Sequence, residues 1–303
     1  MLKELRGCFM LLIAALIWGT AFVAQSKGMD YVEPFTYNAV RTLLGGIVLI
    51  PVVLLSERIR IKADYEKSFN NRTSLISGIL CGFILFAASS FQQYGISLTS
   101  AGKAGFITAL YVIIVPVIWL LLGRKSNIRI WLCVIIAVFG FYMLCIKDGF
   151  KLVKGDLYVL ICAVFYSLHI IVIDHFNSKG ANPVKMSCCQ FFTAGTIMMI
   201  CMFIFESPAL VEIFAAKYTI LYTGIMSCGV AYTLQIIGQK YTSPTAATLI
   251  MSLESVFAAL AGWILLNEHL DIREISGCFL VFAAVVFSQL DIGLKKRIQN
   301  IDS

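Results

Sequence analysis

SPTAATLIMSLESVFAALAGWILLNEH, Ser243 to His269, is an apolar stretch that carries a single carboxylate, Glu254, until its polar end. At ~1.5 Å of rise per residue, about 20 helical residues cross the ~30 Å hydrocarbon layer of a bilayer. A helix over this stretch therefore puts Glu254 near the midplane. Insertion scales put an acid at mid-helix at roughly 2.5–3.5 kcal/mol, so Glu254 must face other helices, a partner or a water-filled cavity. Ser243 is a good N-cap and Pro244 suits the first helical position. Ala258, Ala261 and Gly262 follow Glu254 at helical spacing and are small enough for a neighbouring backbone to approach closely.

The rest of the chain has the same character. Its 303 residues are 59% hydrophobic and 14% charged, with a mean hydropathy of +0.87, well outside the range of soluble domains. The composition predicts an all-α integral membrane protein. Ten apolar runs follow one another, at roughly 7–26, 34–55, 74–97, 101–122, 128–146, 156–175, 183–205, 217–239, 244–266 and 272–291. Lys3 and Arg6 ahead of the first run also fit a signal peptide. We set that reading aside because the run is long, no clear small-x-small cleavage site follows it, and a similar segment recurs later. All ten cysteines fall inside or at the ends of apolar runs and read as small packing residues, without the paired spacings that metals require. The net charge of +7 lies between the runs and reflects topology, not a nucleic-acid partner.

Internal repeats organise the ten runs. Leu12 to Trp18 aligns with Leu160 to Tyr166, and Pro34 to Gly46 with Pro183 to Gly195. Gln92, Thr99 and Ser100 match Gln235, Thr242 and Ser243 at constant spacing, and Ile128-Arg129 matches Ile272-Arg273. The chain thus divides into residues 1–150 and 151–303, each with five runs. An odd number of crossings turns the second half upside down, which predicts ten transmembrane helices as two inverted five-helix repeats around a midplane site.

Charge agrees with that topology. With both termini cytoplasmic in a cell inner membrane, 16 Lys and Arg lie inside and seven outside, leaving Arg41 within a span. The link between the halves runs against the rule, since Lys147, Lys151 and Lys154 fall on the outer side. Pro51 and Pro116 lie inside spans and predict kinks.

Ten spans in two inverted halves, AALIWGTAF at residues 14–22, SLESVFAALAGWILLNE at residues 252–268, and the Thr-Ser start of each half's fourth span together resemble the drug/metabolite transporter superfamily, in particular its EamA-type bacterial branch. The resemblance covers nearly the whole chain, in two copies. Two departures stand out: Gly123-Arg124-Lys125 ends the fourth span where the family often has an acid, and Ser255 stands where proline is common. The resemblance implies that the first, third, fourth, sixth, eighth and ninth spans surround a central pocket.

Polar and aromatic residues at mid-depth in those spans pair up across the repeat. Trp18 corresponds to Tyr166, Ser89 and Gln92 to Tyr232 and Gln235, and Tyr111 to Glu254. Ser89/Gln92, Tyr232/Gln235, Thr108/Tyr111 and Tyr166/His169 are each three apart and share a helix face. Amides and phenols need partners in lipid, which draws them inward. Together these ten residues form a candidate small-molecule site with aromatic walls and few polar groups.

Each nomination has a plainer alternative. Gln92 and Gln235 also serve as helix bridges, His169 as a packed histidine, and Glu254 as a neutral structural acid rather than a proton site or counter-charge for an amine. Trp119, Trp131 and Trp263, near span ends, read as interface belts. Arg41 reads as a structural, snorkelling residue, Lys103 as a solvated helix end, and Glu268 as an interface marker.

The leading function is a secondary transporter moving a small metabolite, such as an amino acid or amine, by alternating access, with export and proton coupling as open options. A carrier of sugar nucleotides or phosphate esters is the alternative, disfavoured because only Arg41 and Lys103 offer positive charge. A membrane-embedded enzyme is less favoured, because the sequence carries no H-E-x-x-H or G-x-S-x-G motif. A channel is disfavoured because the sequence shows no ring of like charges or carbonyl filter motif. No cofactor is expected; the partners are the bilayer, a small molecule and protons, with the oligomeric state left open.

Overall fold

The computed structural model describes residues 2–62, 69–99, 101–123, 128–145, 153–266 and 271–299. The described residues are predominantly helical, with no strand among them. The long helices are α1 (Leu2–Gly28), α2 (Pro34–Lys62), α3 (Asn71–Leu98), α6 (Ile128–Cys145), α7 (Lys154–Ser178), α8 (Pro183–Phe205) and α14 (Ile272–Gln299). Between α3 and α6 lie α4 (Ala101–Thr108) and α5 (Tyr111–Leu121). Between α8 and α14 lie α9 (Leu210–Ala215), α10 (Lys217–Tyr222), a π-helical stretch at Thr223–Tyr232, α11 (Thr233–Gln239), α12 (Pro244–Met251) and α13 (Glu254–Leu266). Eight stretches among the described residues are long and apolar enough to cross a membrane; α6 contributes a shorter apolar helix, Ile128–Met143.

Polarity is arranged as lipid demands. Leu121, Phe203 and Phe279 are 81%, 68% and 71% exposed, while Gln92, Gln93, Gln190 and Gln235 are buried. Apolar side chains facing outward and amides facing inward suit hydrocarbon as the surrounding solvent.

Local chemistry sets several helix starts. The Asn182 side chain accepts from Val184 N and Lys185 N ahead of Pro183, and Ser243 accepts from Ala246 N ahead of Pro244. α2 is capped from a distance: Glu206 accepts Phe35 N at 2.7 Å, Thr36 N at 2.6 Å and the Thr36 hydroxyl at 2.7 Å. At the other end of the same helix pair, Lys185 bridges Glu57 and donates to Asn71. Thr36 and Lys185, and likewise Glu57 and Glu206, stand at the sequence spacing that separates Pro34 from Pro183.

Two runs read as single helices are interrupted. The run at 101–122 breaks at Ala109-Leu110 and the run at 244–266 at Ser252-Leu253, where shorter i→i+3 bonds replace the α pattern, such as Val112 N to Ala109 O at 3.0 Å and Ser255 N to Ser252 O at 3.2 Å. Both breaks fall at the spacing that separates Gln92 from Gln235. The run at 217–239 holds the π-helical turn, which widens the helix where Gly224 and Gly229 let α2 approach. Pro51 and Pro116 lie inside α2 and α5.

Packing runs in matched pairs: α3 lies along α7, and α1 along α10, the π stretch and α11; α2 lies against α8, and α6 against α14; α1 meets α13, and α7 meets α4 and α5. Glycines permit the closest approaches. A Cβ on Gly7 would stand 3.0 Å from the Gly238 carbonyl oxygen, and one on Gly155 3.0 Å from that of Gly95. Gly7 and Gly155 hold the spacing of Leu12 and Leu160, while Gly95 and Gly238 hold that of Gln92 and Gln235.

The expectations placed on Arg124-Lys125, Lys147, Lys151 and Glu268 lie outside the described residues. Trp263 is 51% exposed.

Candidate functional site

A cavity sits where α1, α3, the α4/α5 break, α7, the π stretch and the α12/α13 break converge. Trp18, Phe22 and Gln25 reach it from α1, at the seven-residue reach of one helix face. Gln92 comes from α3, Thr108 and Tyr111 from either side of the first break, and Tyr166 and Ile170 from α7. Ser227, Tyr232 and Gln235 come from the π stretch and α11, Met251 and Glu254 from either side of the second break, and Arg41 from α2.

The breaks matter because Tyr111 is the first residue of α5 and Glu254 the first of α13. Each is turned inward just as its helix restarts, and the Tyr111 hydroxyl donates to Glu254 Oε1 at 2.9 Å. The acid in the ninth run thus finds its partner at the corresponding position of the fourth. Ser255 Oγ donates to the Gly105 carbonyl at 3.1 Å, tying the same two broken helices together again.

A second set of polar bonds runs along the facing wall. Tyr232 OH donates to Tyr166 OH at 3.1 Å, Tyr166 OH to Gln92 Oε1 at 3.1 Å, and Gln92 Nε2 to Thr108 Oγ1 at 3.3 Å. The Trp18 ring stands edge-on to Tyr232 with centroids 4.9 Å apart. Trp18 and Tyr166 each pack against both of the largest buried apolar clusters, so the wall is braced from behind. Trp18 Nε1, Gln25 Oε1 and Gln235 Oε1 are buried and have no hydrogen-bond partner among the described residues. They are one free donor and two free acceptors at the site.

The cavity brings together Trp18, Gln92, Thr108, Tyr111, Tyr166, Tyr232, Gln235 and Glu254, but not Ser89 or His169. Ser89 turns its hydroxyl back onto the Leu85 carbonyl at 2.5 Å, and its own carbonyl accepts Asn38 Nδ2 at 2.9 Å. His169 is fully buried behind Tyr232, ring edge to ring face at 6.0 Å, with Nε2 2.9 Å from Gln190 Oε1. Both therefore support the wall from the side away from the cavity.

Two residues differ from the sequence reading. Arg41 does not snorkel; it is 4% exposed and lines the cavity. Its position as the cation deepest within an apolar run was the signal available in the sequence. Lys103 is not a solvated helix end, because its Nζ lies 2.5 Å from Oδ2 of Asp156, which is 1% exposed. Asp156 also accepts Thr99 Oγ1 at 2.9 Å and Val153 N at 2.8 Å, fastening the ends of α3, α4 and α7 to one another. Phe22, Gln25, Ile170, Ser227 and Met251 were not singled out in the sequence; of these only Gln25, an amide in phase with Trp18, carried a visible signal.

The sequence profile of the EamA-like transporter family matches residues 5–146 and again residues 153–290. The chain belongs to the EamA-like transporter family. Its relatives include an uncharacterized transporter of Archaeoglobus fulgidus, 31% identical over 298 residues, with 96% of this chain and 88% of that protein covered. The uncharacterized transporter YvbV of Bacillus subtilis is 23% identical over 292 residues, covering 94% of this chain and 92% of the relative. A solved crystal structure shares the fold with a TM-score of 0.75 at 19% identity, covering 96% of this chain and 98% of the other. This member of the family is a multi-pass, all-helical membrane transporter, and a small molecule is its cargo.

Proposed function

We propose that the chain is a secondary transporter in which two inverted five-helix halves, residues 1–150 and 151–303, alternate access to the central cavity for a small amphipathic metabolite such as an amino acid or amine. In this reading the runs form ten transmembrane helices in the cytoplasmic membrane, with both termini cytoplasmic. Support comes from the matched contacts. The Gly7/Gly238 and Gly155/Gly95 approaches, the Glu206–Thr36 and Glu57–Lys185 ties, and the two helix breaks each recur at repeat spacing. Inverted repeats of this kind carry their substrate sites at the repeat interface, commonly on broken helices.

The observation that carries the proposal is the Tyr111–Glu254 hydrogen bond, formed by corresponding residues of the two halves on the cavity wall. Trp18, Gln92, Thr108, Tyr166, Tyr232 and Gln235 complete the proposed substrate contacts, with Ser89 and His169 as supports. Glu254 is the proposed proton site and counter-charge for a substrate amine. The phosphate-ester alternative loses ground because Lys103 is occupied by Asp156. Uptake of a panel of amino acids and amines into proteoliposomes, with and without a pH gradient, tests the reading. Wild type is expected to respond to the gradient and Glu254→Gln to lose that response; identical flux and pH response in the variant would remove Glu254 from the mechanism.

A further inference from the structure

Arg41 presents an unbalanced charge. It sits on α2 with 4% of its surface exposed, and among the described residues no carboxylate pairs with it. Its Nε donates to Asn38 Oδ1 at 2.9 Å, and Asn38 Nδ2 is held in turn by the Ser89 carbonyl at 2.9 Å. The guanidinium lies 5.6 Å from the centroid of the buried Tyr37 ring. Tyr37 is itself fixed through its hydroxyl to Thr223 Oγ1 at 3.1 Å. One edge of the fork is therefore anchored, while the Nη donors meet no protein acceptor among the described residues. An arginine stays protonated even when buried, and a buried cation without an anion is strongly unfavourable. Its side chain lines the cavity, whose other charged residue, Glu254, is bonded to Tyr111 instead.

We infer that Arg41 binds a carboxylate of the cargo and so determines that the transported molecule carries one. This rests on the transport reading above and deepens it. A guanidinium fork matches a carboxylate in a two-pronged, charge-assisted contact. A phosphate ester, with its second charge, calls for another cation, and Lys103 is already held by Asp156. With Arg41 and Glu254 both lining the cavity and not bonded to each other, the cavity suits a zwitterion whose carboxylate meets Arg41 and whose amine meets Glu254.

Matched compounds test this: leucine, its decarboxylated amine isopentylamine and its deaminated acid 4-methylpentanoate, and the same three derivatives built on phenylalanine. Binding to the purified full-length protein is read by isothermal titration, alongside uptake of leucine and phenylalanine into proteoliposomes. In wild type the zwitterion is expected to bind about tenfold or more tighter than its amine, the scale of a charged hydrogen bond. Arg41→Gln should bring the two within about twofold by loss of that bond, with amine binding retained as proof of folding. Arg41→Lys, which keeps the charge but not the fork, should fall between. Equal wild-type affinity for zwitterion and amine, an unchanged preference in Arg41→Gln, or no binding of any compound would overturn the assignment. If Arg41→Gln does not fold, an unchanged preference in Arg41→Lys overturns it and a reduced one supports it. Carboxylate-dependent binding with no uptake of either amino acid would leave the role of Arg41 standing and overturn the transport reading.

Discussion

Tyr111 and Glu254 show how much one residue's position depends on another far along the chain. Glu254 was conspicuous in the sequence because an acid within an apolar run must find a partner, but that partner lies 143 positions away along the chain. Tyr111→Phe keeps the ring and deletes the donor, so the protein is expected to lose on the order of 1 kcal/mol of stability, read as a lower melting temperature in detergent. Glu254→Gln retains an oxygen that accepts from Tyr111 and should lose less. A melting temperature unaffected by Tyr111→Phe would show that the bond does not contribute in the folded protein. Arg41 and Lys103 show the other side of the matter. Both were visible as cations in or beside apolar runs, yet one turned out to line the cavity and the other to close an ion pair, since only the facing helices distinguish these fates.

At the scale of helices, close approach is set by glycine. Gly95 and Gly155 bring α3 and α7 together so tightly that a Cβ on Gly155 would meet the Leu98 side chain at 2.9 Å and the Gly95 carbonyl at 3.0 Å. Gly155→Val should therefore overpack this seam and destabilise by about 1–3 kcal/mol, seen as a clear drop in melting temperature. Gly105→Ala in α4 is the control, because its nearest neighbour would be the Ser255 hydroxyl at 3.9 Å. That change should be neutral or stabilise by up to about 1 kcal/mol through helix propensity. Similar losses from both would mean that glycine packing is not what joins these helices. The sequence displayed the apolar runs and their caps, such as Asn182-Pro183 and Ser243-Pro244. The breaks at Ala109-Leu110 and Ser252-Leu253 carry no proline or glycine and were not legible from local composition.

Across the whole molecule, the proposed inverted halves make a prediction about sidedness. Single cysteines placed at the exposed Arg72 and Lys179 should react with a membrane-impermeant reagent from one side of the bilayer, and cysteines at the exposed Lys27 and Lys217 from the other. Labelling of all four from the same side in sealed cells and inverted vesicles would exclude the proposed topology. Length, hydropathy and the spacing of Leu12 with Leu160 and of Gln92 with Gln235 were enough to determine a membrane-embedded, helical chain with an internal repeat. These are local or periodic properties, readable wherever a run must match the thickness of a bilayer. Tertiary structure alone decided that Gln92, Tyr166 and Tyr232 join in one wall, that Ser89 and His169 stand behind it, and that Arg41 faces the cavity. A helix that is apolar all round gives little sign of which side turns inward, so that choice belongs to the neighbours it packs against.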